Sequence, residues 1–108
     1  MIRHYVLTLD GNAQRLSSVL TGGADGPNDR PLRSISLQPA GANANPIFLG
    51  HAGVSSTDFG VRLEPGATNV PPAPFVFGEL DRGAMKLSEF YVIGTSTQKL
   101  HILVHEDL

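Results

Sequence analysis

Residues that break regular structure cut this chain into short pieces, and their spacing constrains the fold more than any other feature. Gly and Pro supply 12 and 8 of the 108 residues. Turn clusters such as Asp10-Gly11, Gly22-Gly23, Pro39, Pro65-Gly66 and Pro71-Pro72 recur about every eight to twelve residues, the pattern of an all-β sandwich or barrel. A long amphipathic helix has no room between them. Strands of about 5–6 residues do.

The pieces themselves alternate as half-buried strands do. In Ile2 to Leu9, the side chains of Tyr5, Leu7 and Leu9 share one face and those of His4, Val6 and Thr8 the other. Leu32 to Leu37 turns Ile35 and Leu37 inward, with Arg33 near its start and Pro39 ending it. Pro46 to Gly50 carries Ile47, Phe48 and Leu49 and reads as a short buried strand, and Phe59, Val61 and Leu63 alternate inward with Gly60 and Arg62 outward. Phe75 to Phe77 adds a short strand. In Phe90 to Val104, two apolar runs flank Gly94-Thr-Ser-Thr97, a pattern that predicts a hairpin with a four- or five-residue loop at the centre of the sheet. Leu100, Ile102 and Val104 form its apolar face, Lys99, His101 and Leu103 a mixed one. Asn12 to Leu20 fits a short helix through Ala13, Leu16 and Leu20, but its flanking glycine turns favour a hairpin partner for the first strand. Glu64-Pro65-Gly66 has the type II turn pattern, and the tail His105 to Leu108 is polar.

The expected architecture is therefore a single all-β domain over 1–108, an antiparallel sandwich, jelly-roll-like, or a small barrel of seven or eight short strands. An exposed loop at 21–31 and a Pro-rich arm at 69–75 interrupt it. The arm, Val70-Pro-Pro-Ala-Pro-Phe75, cannot donate a regular ladder of hydrogen bonds. It suits a sheet edge, a rigid connector between sheets, or an extended binding segment that loses little entropy on docking.

Composition narrows the chemistry. The chain has no cysteine, which removes disulfides, thiolate metal sites and Cys nucleophiles. Its net charge of −2 and scattered basic residues give no electrostatic reason to expect nucleic acid or an anionic membrane. No stretch is long and apolar enough to span a bilayer as a helix, and Met1 to Tyr5 lacks an apolar signal region, so synthesis in a cytosol is the expectation.

No catalytic constellation stands out. His101 and His105 share a strand face but lie roughly 13 Å apart at ~3.3 Å per residue, too far to share one metal. His4 could approach one of them from a neighbouring strand, and surface or interface roles are expected for all three. The carboxylates sit mainly in turns, with Glu89 inside a strand as the exception. None of the serines lies in Gly-x-Ser-x-Gly, and Gly22 to Gly26 lacks the Lys of a phosphate loop. No catalytic residue, cofactor site or metal site is therefore assigned, and an enzyme on this scaffold is not expected.

Three stretches taken together carry a resemblance. They are Asn45-Pro-Ile-Phe-Leu-Gly50 with His51 to Ser56, Gly60-Val-Arg-Leu-Glu-Pro-Gly66, and Glu89 to Val104. In order they resemble small virion structural proteins of tailed bacteriophages, the all-β decoration or cement proteins and related head or tail accessory proteins. The resemblance covers roughly the C-terminal sixty residues. It implies a β-sandwich on the capsid surface, assembled in the host cytoplasm, contacting the major capsid protein and copies of itself, often as a trimer. It transfers no active-site residues. The expected contact residues are Val70, Pro71, Pro72, Pro74 and Phe75 of the arm, with Ile2 and His4. The alternatives are a tail or baseplate accessory protein and a carbohydrate-binding sandwich. Against the latter, only Tyr5, Tyr91 and the five Phe are available as aromatic platforms, and most of them are expected in the core.

Overall fold

The structure, a computed structural model, describes residues 2–20, 32–66, 70–78 and 85–106. Within them, eight strands build two four-stranded antiparallel sheets that face each other as a sandwich and do not close into a barrel. The strands are β1 (Ile2–Thr8), β2 (Gln14–Arg15), β3 (Leu32–Pro39), β4 (Ile47–Gly50), β5 (Val61–Leu63), β6 (Phe75–Gly78), β7 (Tyr91–Ile93) and β8 (Lys99–Glu106). The first sheet runs β1-β8-β3-β6 and the second β2-β7-β4-β5. One helical turn, α1 (Leu16–Val19), and a 3-10 turn, Leu87–Glu89, close one end. The loop expected at 21–31 lies outside the described residues.

The core follows from period-two alternation. Leu7 and Leu9, Leu100, Ile102 and Val104, and Ile35 and Leu37 face inward from the first sheet. Ile47, Leu49, Leu63 and Val92 answer from the second, and Leu16, Leu20, Met85 and Leu87 complete the cluster. Each such side chain contributes about 1.5–3 kcal/mol on burial. Every member of this buried set is aliphatic or Met, and the aromatics lie at its margins or outside it. The expectation of core aromatics is thus corrected.

The segment from Phe90 to Val104 is not a hairpin. β7 pairs with β2 and β4, whereas β8 pairs with β1 and β3. The chain crosses from one sheet to the other through Gly94 to Gln98, and each run becomes a central strand of its own sheet. That position explains why both runs read as apolar. Gly94 threads the gap: a Cβ there would stand 2.5 Å from Leu9 Cδ1 and 3.3 Å from Ile47 Cγ1. The crossover is held at Leu9, whose N–H donates to the Gln98 carbonyl at 2.8 Å and whose carbonyl accepts from Thr97 N–H at 2.9 Å. Thr97 takes φ 75 to make this corner.

Other expectations are also corrected. Asn12 to Leu20 does not pair with β1; it gives β2, on the edge of the second sheet, and then α1, whose Leu16 together with Leu20 enters the core. Four-residue spacing of leucines wins here because the segment caps the sandwich end rather than extending a ladder. The C-terminal segment is not a polar tail: β8 runs through Glu106, which turns inward and is 2 % exposed. Its carboxylate pairs with Arg3, also inward on β1. Phe59 precedes β5 and lies outside the core, packed on Phe48, which points outward while Ile47 and Leu49 point in. Asp10-Gly11 does turn the chain, with Gly11 at φ 88 and Asn12 N–H bonded to Asp10 Oδ1. Gly66 has no such φ, so the Pro65-Gly66 segment is not a type II turn. It needs glycine because the Val70 carbonyl oxygen occupies the place where a Cβ would stand.

Candidate functional site

The outward face of the first sheet is built by strict alternation on its four strands. The register sets His4 beside Leu103, Leu103 beside Ser36, and Ser36 beside Val76. One row away lie Ile2, His105, Ser34 and Gly78; on the other side, Val6, His101 and Gln38. Four large apolar side chains stand in water on this face: Ile2 at 66 %, Val6 at 52 %, Val76 at 63 % and Leu103 at 47 % exposed. No carboxylate occupies an outward register position on these strands; the basic side chains there are Lys99, His4, His101 and His105, and half-exposed Arg33 sits in the bulge between Leu32 and Ser34. A shallow hollow of about 200 Å³ crosses the face, lined by His4, Ser36, Gln38, Pro74, His101 and Leu103 among others.

The expected contact residues distribute unevenly over this surface. Ile2 and His4 stand on the face at its β1 edge, and Pro74 lines the hollow from the β6 side. The arm carries the chain from β5 in the second sheet to β6 in the first, so it is both a connector and the lead into an edge strand. The Gln38 side-chain amide fastens it by donating to the Pro72 carbonyl at 2.7 Å. Val70 and Pro71 are exposed, while Phe75 turns inward and packs against the core. Val6, Leu103 and Val76 were not singled out in the sequence, although an apolar residue at an outward strand position is the signal that marks them.

The outward face of the second sheet collects aromatic and guanidinium groups. Arg15 Nε donates to the Tyr91 hydroxyl at 2.6 Å, with its guanidinium 5.2 Å from the ring centroid. Phe48 stacks on Phe59 at 4.9 Å and 47°, and Arg62 lies 5.9 Å from the Phe48 ring while pairing with Glu64. Among the described residues, no group of three or more His, Asp or Glu is placed to hold a metal ion. Glu89 is not in a strand: it closes the 3-10 turn, its Oε1 accepting from Lys86 N–H at 2.8 Å.

Comparison of the chain with protein-family models, curated proteins and solved structures finds no significant match. The class it belongs to is defined by its architecture, a small all-β sandwich of two antiparallel sheets.

Proposed function

We propose that the chain is a docking module that binds a protein surface through the outward face of its first sheet. The role is the one its resemblance implies, a phage capsid decoration or cement protein acting as a homo-oligomer on the major capsid protein lattice. The observation that carries the reading is the cluster of exposed Ile2, Val6, Leu103 and Val76 on one sheet face where, among the described residues, no strand position turns a carboxylate outward. Charge depletion with retained apolar area is what the centre of a protein interface offers. Each contact of this size is weak, and repetition over an oligomer makes the sum strong. The sheet edges β1 and β6 also present backbone groups that assembly would pair. Light scattering on the purified protein and sedimentation with empty capsids test the reading. Binding should occur and be lost in Leu103→Glu and Val6→Glu variants that remain folded. A strict monomer without affinity for capsids, or binding indifferent to both substitutions, refutes it.

A further inference from the structure

The second sheet carries an open bowl of about 430 Å³ where β4 and β7 give way to their loops. Its floor is Phe48 and Ile93, direct neighbours across those two strands. Asn45, Ser56 and Thr95 stand on its rim, with Gly11 and Gly94 beside them.

Three properties of this bowl define its ligand. No lining residue is ionisable, so neither an anion nor a cation finds a counter-charge there. The nearby Arg62 is already engaged with Glu64. The floor is a hydrocarbon surface with one aromatic ring, held in place by Phe59. The rim offers neutral donors and acceptors: the side chains of Asn45, Ser56 and Thr95 make no hydrogen bond within the described residues. A purely apolar ligand would leave those groups unpaired.

The rim is also held rigidly. The Gln98 side chain accepts from Asn45 N–H at 2.8 Å and donates to the Asn45 carbonyl at 2.9 Å, fixing the backbone from which the free Asn45 amide projects. Ser55 Oγ accepts from the N–H groups of Thr57 and Asp58, at 3.2 and 3.0 Å, which shapes the loop carrying Ser56. Fixed supports of this kind make a usable site from a few polar groups.

We propose that this bowl binds a single neutral pyranose unit, its C–H face on Phe48 and its hydroxyls on Asn45, Ser56 and Thr95. The inference stands apart from the docking reading, which uses the other sheet. The test is a ¹⁵N–¹H titration of the intact chain with methyl glucopyranoside, methyl galactopyranoside and N-acetylglucosamine. At least one sugar should shift the amides of Ser56, Gly94 and Thr95 saturably, with millimolar affinity. Phe48→Ala should weaken binding about tenfold, the ratio for losing one aromatic contact. Phe48→Leu, which keeps the apolar volume, and Ser56→Ala provide the comparison should Phe48→Ala fail to fold; each should weaken binding severalfold. Arg15→Ala, outside the bowl, should change nothing. Absence of saturable shifts with all three sugars overturns the proposal. So does binding unaffected by both Phe48→Leu and Ser56→Ala, or stronger shifts with a sugar acid or a nucleoside.

Discussion

Replacing Gln98 with Ala should loosen the crossover between the sheets and the loop it supports, and the cost can be worked from the structure. Gln98 is 9 % exposed. Its Oε1 accepts from the N–H groups of Ala44 and Asn45, both at 2.8 Å, and its Nε2 donates to the Asn45 carbonyl at 2.9 Å. At a net ~0.5–1.5 kcal/mol per hydrogen bond, three give roughly 1.5–4.5 kcal/mol. Ala44 and Asn45 are exposed, so water takes up part of what Gln98 releases, and the expected loss is about 2–3 kcal/mol. Neighbouring Asn43 limits the damage, because its side-chain amide bonds both Lys99 N–H and the Lys99 carbonyl, at 3.1 and 2.7 Å. Urea unfolding should therefore show a lower midpoint with an unchanged slope, and Tm should fall by roughly 10–20 °C. Gln98→Glu keeps an acceptor for the two N–H groups but sets a carboxylate oxygen against the Asn45 carbonyl, so it should fall between Ala and the parent. A loss below about 0.5 kcal/mol for Gln98→Ala would refute the clamp.

Three further outcomes follow from the same geometry. Gly94→Ala forces a methyl group against Leu9 and Ile47 in the core and should cost about 1–3 kcal/mol of unfolding free energy, read by thermal denaturation. Arg3→Leu removes one partner of the inward Glu106 carboxylate and should destabilise the fold by up to about 3 kcal/mol, with much of it recovered in Arg3→Leu/Glu106→Leu; a double-mutant cycle showing simple additivity would contradict this. Thr97→Asn relieves a β-branched residue at φ 75 and should raise stability by about 0.5–1 kcal/mol, visible as a rise in Tm.

Local chemistry made part of this protein legible without coordinates. Alternation at period two assigned Leu7 and Leu9, Ile35 and Leu37, and Leu100, Ile102 and Val104 to the interior, where they lie. Asp10-Gly11 announced its turn, and the density of breakers excluded long helices. Ile2, His4 and Pro74 of the candidate face were named from sequence, and Val6 and Leu103 were placed on the outward side without their significance being drawn. Alternation encodes which face a residue takes, because side chains project to opposite sides of the backbone. It does not encode which strand lies alongside, because ladder hydrogen bonds join backbone groups common to every residue. Only the tertiary structure therefore decided that β7 and β8 part company at Gly94, where space between Leu9 and Ile47 admits no side chain. The same holds for Arg3 and Glu106, 103 positions apart and joined inside one sandwich, and for Phe48, which the outward pleat of β4 puts beside Phe59 instead of in the core.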